Sequence, residues 1–543
     1  MLARAVHPRG TDEMRVRDAL GPLFADEDFQ HERFAGVFPA LGKPGLSPAL
    51  LAMVTVLQFM CNLSDREAVA AMADRISWKY ALGLEVHETG FDASVLSEFR
   101  ARLAEPGRAD ALLDTVLDKL KAAGLVRAGG RARTDSTHVI AAVRSLSRIE
   151  MVGETLRAAL EEIARISPGW IVPLLAPGWD ERYGRKVGIS RLVGRGSRKI
   201  SAEELAAQFG ADGSTLLDAI DADRAASWMN QLPQVTLLRL VWDQQFEEHP
   251  GGALVLRPAA DLLPCAERPV SPYDPEVRFA TKREVRWEGW KVHLTETCDD
   301  DLPHLVTDVH TTAATSQDAT ETTEIQDKLI ARALTPSEHL MDAGYPSAAN
   351  ILASATRGIA LIAPVTVLTG RNSKVATFVP ADFEIDWDTE TARCPNDAVS
   401  GPMRPQKSGM VAFKFPRRTC TPCPIRTDCT RSPLPESRSL VIHPRSIHEA
   451  RMAAHRAQDT ETWQQTYNKR AGIEGTISQA VRDVDLRHCR YRGSAKCHLQ
   501  NVLTSIAINV DRLGTHYGPT RTRPRRPTRI QHLCEITGIS KGT

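Results

Sequence analysis

Residues 131–143, RARTDSTHVIAAV, follow a Gly129-Gly130 break and alternate polar with apolar side chains. That period belongs to a half-buried strand, whereas 46–104 and a stretch near 109–124 read as helical. Asp135 stands in the middle of this strand. Strand propensity disfavours an aspartate there, and burying one without a partner is costly.

Downstream, WEGWKVHLTE (287–296) and HLVTDVHTT (304–312) are β-rich runs on either side of an acidic turn, Cys298-Asp299-Asp300-Asp301, and suit a hairpin or short meander. A helix over 316–333, a buried strand SEHLMDAGY (337–345) ending in a turn, a helix SAANILASATRG (347–358) closed by Gly358 and a strand IALIAPV (359–365) follow. Strands, then helices alternating with strands, indicate an α/β core. Helices over 150–164 and 201–226 interrupt it after the first strand and flank RYGRKVGISRLVGRGSRK (182–199).

Upstream of 131 the chain is helical. Ser47-Pro48 forms an N-cap with proline at the first helical position, before the apolar run LLAMVTVLQFM (50–60). Ser64 and Glu67 have capping-box spacing ahead of EAVAAMADRISWKYALG (67–83), and VLSEFRARL starts near Asp92–Ser94 with Arg100 and Arg102 expected on its exposed face. Short helices joined by tight turns suit a DNA-binding module, and a plain helical bundle fits the pattern equally. The divisions expected are a helical domain over 1–125, a core over 126–365 with an insertion at about 150–270, a cysteine-rich segment over 366–445, a helical return over 446–515 and a basic tail over 516–543.

With 543 residues, several domains are expected. Hydrophobic residues at 42% and charged ones at 25% are ordinary for a globular protein, and the net charge of +1 excludes no partner. The local charge in 182–199 and in RTRPRRPTR (521–529) suits sequence-independent phosphate contact or a solvated tail. No run of 18 or more apolar residues suggests a membrane span, and MLARAVHPRGTDEMR lacks the apolar centre of a secretory signal, so a cytoplasmic protein is expected.

Two further carboxylates stand out. Asp342 ends a strand in HLMDAGYPS, at the edge of an α/β sheet where ligands bind. Glu474 lies in a helix among small residues, in YNKRAGIEGTISQ. Gathered on one face with Asp135, they would form a hard oxygen site suited to Mg2+ or Mn2+, although spacing alone does not select this set. His138 and His293 read as strand histidines of the core or surface.

The chain resembles the DDE transposases of bacterial insertion sequences, in the group with a cysteine cluster in its C-terminal half. One branch carries Tyr, two residues, Arg, three residues, Glu, six residues and Lys; Tyr467, Arg470 and Glu474 match, whereas position 481 is Val and Arg482 comes one place late. RISWKYALGL (75–84), FDASVLSEFRARL (91–103), SPYDPEVRFATKREVRWEGWKVHLTETCD (271–299) and RAGIEGTISQAVRDVDLRHCRYRGSAKCHLQ (470–500) are similar to the family's blocks, in its order. The resemblance implies a ribonuclease-H-like α/β core with an N-terminal all-helical domain and a cysteine-rich insertion. It implies Asp135, Asp342 and Glu474 as metal-binding catalytic residues, and Tyr467, Arg470 and Arg482 as DNA contacts. It also implies cleavage at terminal inverted repeats, strand transfer into target DNA and a homodimer on double-stranded DNA. A nuclease that cuts without joining, and a non-catalytic relic, are the alternatives.

Cys394, Cys420, Cys423 and Cys429 offer four thiolates, the set that structural Zn2+ prefers. An iron–sulfur cluster or unliganded thiols are the other readings. Lys414, Arg417, Arg418, Arg426 and Arg431 surround them as a DNA-facing or a solvated shell.

Overall fold

Strand β1 (Arg131–Ile140) occupies the middle of a six-stranded sheet. The computed structural model describes residues 2–34, 45–193, 200–250, 254–365, 378–430, 437–519 and 529–536. Strands β2 (Arg278–Lys282), β3 (Val285–Thr297) and β4 (Val306–Ala313) follow the insertion, and β5 (Glu338–Leu340) and β6 (Ala360–Ile362) complete the sheet. β1 runs antiparallel to β3, from Ala132 opposite Thr297 to Ile140 opposite Gly289, and parallel to β5. The far edge of β3 carries β4 along Trp290–Glu296 and β2 along Val285–Gly289. β6 pairs parallel with β5 and closes the other side. The parallel pairs need crossovers, which α helices Asp318–Ala331 and Ala348–Thr356 supply.

The N-terminal helices share the sheet's core. Leu112, Val116, Leu294, Val309, Ile477 and Val502 are members of one contiguous apolar cluster. Helix Pro48–Met60 is buried continuously from Leu51 to Phe59, as suits an element apolar on all sides. Arg332 joins the layers: its Nε donates to Asp114 at 2.6 Å, its Nη2 to Asp110 at 2.8 Å, and its Nη1 to Asp308 of β4. Among the described residues no single helix is long and apolar enough to cross a membrane.

Two segments carry cores of their own. Helices Arg148–Ile166, Ala202–Ala222 and Pro233–Gln245 pack around Phe209, Trp179 and Trp242 between β1 and β2. Residues 378–430 and 437–442 form two small antiparallel sheets around Phe383, Phe413, Phe415 and Leu440. Their strands are two to four residues long, too short to display a period in the sequence.

Arg100 departs from expectation. It is buried, donating to Asp65 at 2.6 Å and Gln58 at 3.2 Å, with its guanidinium 5.3 Å from the Tyr491 ring. It ties the Ser64 capping turn to the core, and only Arg102 of that pair is exposed. In the basic run, Arg182 is committed to Asp212 at 2.8 Å, while 194–199 lie outside the described residues, as do 520–528 and Arg431.

Candidate active site

Asp135 lies on β1 with its side chain 15% exposed. The Ser136 N–H donates to its Oδ1 at 2.7 Å, and Arg470 Nη1 donates to its Oδ2 at 3.2 Å. Burial raises the Asp135 carboxyl above the ordinary range; the Ser136 N–H opposes this, the Asp342 charge adds to it, and Arg470 and Lys282 oppose it. The Asp342 charge, in the turn after β5, thus acts on the Asp135 carboxyl of β1.

Asp342 follows β5 in a tight turn. The Gly344 N–H donates to Asp342 Oδ1 at 2.8 Å. A Cβ at Gly344 would lie 3.0 Å from that oxygen and 3.2 Å from Asp318 Oδ2, so a second acidic side chain meets Asp342 across the glycine. Tyr345 anchors the turn from below. It is fully buried, its hydroxyl is 2.7 Å from His293 Nδ1, and its carbonyl accepts from Thr322 at 3.1 Å and Asn350 at 2.8 Å. Burial pushes His293 down to about 3, so its ring is neutral and serves as a hydrogen-bonding partner in the core.

Glu474 comes from the opposite side of the chain. Helix Glu461–Asn468 carries Tyr467, a 3-10 turn Lys469–Ala471 carries Arg470, and helix Gly472–Val484 carries Glu474. The 3-10 turn thus interrupts the α-helical spacing within the Tyr/Arg/Glu set. Contact survives the break: Arg470 donates to Glu474 and lies 5.8 Å from the Tyr467 ring, itself stacked on Trp463 at 4.8 Å. Glu474 is 59% exposed and reaches Asp135 through Arg470. Arg482 is elsewhere, on the exposed surface, doubly hydrogen-bonded to Asp483 at 2.8 and 3.0 Å.

A buried ionic cluster fixes the Glu474 helix to the sheet. Glu296 of β3, with no exposed side-chain surface, accepts from Arg133 at 2.7 Å, Thr476 at 2.7 Å and Arg512 at 2.5 Å. Arg133 also donates to the Lys469 carbonyl at 2.6 Å. Gly472, the first residue of the helix, permits this approach, because a Cβ there would fall 2.0 Å from Arg133 Nη1.

Asp318, Lys291 and Glu296 were not legible as site residues. Asp318 reads in sequence as a helix-opening acid, and Lys291 and Glu296 as strand charges. Arg487, whose Nε donates to Thr137 at 3.2 Å, adds a cation beside β1.

The four cysteines line one pocket with Phe378, Phe415 and Arg438. Burial raises the Cys429 thiol, Arg438 opposes this, and the other three cysteines raise it further. Among the described residues, His310, Glu321 and Glu324 form a group of three possible metal ligands whose atoms lie within 4.8 Å of one another.

Two family models match the chain. Residues 393–514 match a transposase DDE domain, and residues 10–102 match a transposase domain (DUF772). Both matched segments are transposase domains, and together they support a DDE transposase. The DDE-domain match contains Glu474, Arg470, Tyr467 and the four cysteines; Asp135 and Asp342 lie between the two matched segments. An uncharacterized protein, ORF8 in the nfe locus of Rhizobium meliloti, is 29% identical over 87 residues, 16% of this chain and 42% of that protein. The match thus spans less than half of that relative. No solved structure matches the chain.

Proposed function

We propose that this transposase-family chain cuts DNA at the ends of a mobile element and joins the freed 3′-hydroxyl to target DNA, using Asp135, Asp342 and Glu474. What supports this most is the junction at Arg470, whose one guanidinium bonds both Asp135 and Glu474 although 335 residues separate it from the aspartate. The order β4–β3–β1–β5–β6, with two antiparallel and two parallel pairings, favours a ribonuclease-H-like core.

The donor set consists of carboxylate oxygens, the hard ligands that suit a divalent cation such as Mg2+. Asp135, Asp342 and Glu474 would hold Mg2+ or Mn2+, which when bound makes an oxygen a better nucleophile and neutralises charge on the phosphate. The protein's own groups orient the DNA. Arg470 stands between the carboxylates and the aromatic pair, where its fork suits a phosphate oxygen pair. Burial raises the Tyr467 phenol, opposed by Arg470 and reinforced by Asp342, so the hydroxyl keeps its proton and can donate. Arg470→Lys keeps the charge and loses the fork. Initial cleavage rates are expected to fall on the order of tenfold, as for one lost charge-assisted hydrogen bond.

Joining distinguishes a transposase from a nuclease. Incubating the protein with pre-cut element ends, target plasmid and Mg2+ is expected to give joined products, resolved by sequencing the junctions. Nicked DNA without junctions would support the nuclease reading, and binding without nicking the relic.

For the cysteines we propose structural Zn2+ held by Cys394, Cys420, Cys423 and Cys429. Four sulfur donors around one pocket suit that ion, and the core beside them is small. In small zinc domains roughly 10–16 kcal/mol of binding is coupled to folding. Elemental analysis is expected to find zinc in the purified protein. Chelation is expected to open residues 378–430 and 437–442 to protease while the six-stranded sheet stays resistant; retained iron would favour the cluster instead.

A further inference from the structure

Asp318 opens helix Asp318–Ala331, the position of an ordinary dipole-matching acid. Its side chain does something else. The N-cap is Gln317, which makes no side-chain cap bond, and the Asp318 carboxylate turns to the sheet, 9% exposed. Its Oδ1 accepts from Lys291 Nζ at 2.9 Å and Ser136 Oγ at 3.3 Å. Lys291 is steadied in turn by the Ser316 carbonyl at 2.5 Å. Among the described residues the other oxygen, Oδ2, has Lys282 at 3.9 Å, and it faces the space beside Gly344 that Asp342 Oδ1 also faces. One oxygen is thus fixed by a buried cation and by the residue after Asp135, and the other points into the carboxylate site.

We propose that Asp318 is a fourth carboxylate of the divalent-cation site, its Oδ2 acting with Asp342 while Lys291 and Ser136 hold its Oδ1. The proposal rests on the divalent-cation reading above. Lys291 explains how a fourth negative side chain stays in place when the site is empty, since it offsets a charge that Asp135 and Asp342 would otherwise oppose. Gly344 explains the clearance, because any side chain there would fill the gap between the two oxygens.

The test is Mn2+ binding to the full chain without DNA, followed by electron paramagnetic resonance, so that activity is not the readout. Asp318→Asn alone would strand the buried Lys291 charge. The informative variants are therefore the double Lys291→Met/Asp318→Asn, which removes the pair together, and Gly344→Ala, which adds a methyl group to the gap without changing charge. Both are expected to weaken Mn2+ binding by roughly 10–100-fold, the range for perturbed metal shells, with wild-type thermal melts in the absence of metal. Wild-type affinity in either variant would overturn the proposal. Asp342→Asn, measured alongside, separates the two failures: if it too binds Mn2+ as wild type, the cation site itself is misassigned, and if it alone loses binding, Asp318 is a structural acid.

Discussion

Asp342→Asn is expected to slow Mg2+-dependent DNA cleavage by at least about a thousandfold, a loss of about 4 kcal/mol of transition-state stabilisation, while DNA affinity stays within a few-fold. The asparagine keeps the turn, since its side-chain oxygen still accepts from the Gly344 N–H. What it removes is charge. In the metal-free protein that removal is favourable, because the Asp342 charge helps to raise Asp135. A carboxyl raised by folding favours the fold at low pH and loses that contribution as pH rises from the ordinary carboxylate range through the raised value. At pH 7 the metal-free variant is therefore expected to melt no lower than wild type. The wild type gains from the cation, about 2.7 kcal/mol at one hundred times the dissociation constant, and the variant does not. Single-turnover cleavage and thermal melts with and without Mg2+ check both arms. Full activity with an unchanged metal response would remove Asp342 from the site.

The second large effect is structural. Glu296→Ala is expected to destabilise the fold by roughly 3–5 kcal/mol in urea titrations, as for buried ion pairs that lose one partner. Buried Arg133 and half-buried Arg512 would lose their carboxylate, and Thr476 would lose its shorter hydrogen bond. These contacts hold the Glu474 helix against β1 and β3, so cleavage is expected to fall with stability. Glu296→Gln, which keeps the shape and loses the charge, is expected to fall between. A neutral alanine variant would mean that the helix is positioned by its apolar contacts, Ile473, Ile477 and Ala480, alone.

Much of this arrangement is legible in the chain because it rests on local chemistry. The strand around Asp135, the turn after Asp342 and the capping box at Ser64 depend on neighbours in sequence, and each lies where its residues imply, although burial along the strand does not alternate strictly. The misreadings share one cause. Arg100 was expected outside, yet its partners Asp65 and Gln58 stand 35 and 42 residues away. Asp318 looks like a helix-opening acid until Lys291, 27 residues earlier, is brought beside it. Glu296 and Arg512 are 216 residues apart, and nothing near either one announces the pair. The small strands over 384–442 escape for another reason: at two to four residues they carry no period to read. The change of period near 125 marks an element boundary that the packing crosses, since Leu112 and Val309 lie in one cluster.

The most direct test of the central claim maps strand ends. Wild-type protein and a Glu474→Gln variant are incubated with DNA carrying the sequences that flank the gene, with Mg2+ or with EDTA, and every nick is located at nucleotide resolution. If Asp135, Asp342 and Glu474 form one metal-dependent site, the wild type leaves 3′-hydroxyl ends at discrete element boundaries in Mg2+, and neither the variant nor the EDTA reaction leaves any. Cleavage that persists in Glu474→Gln, or that proceeds in EDTA, would contradict it.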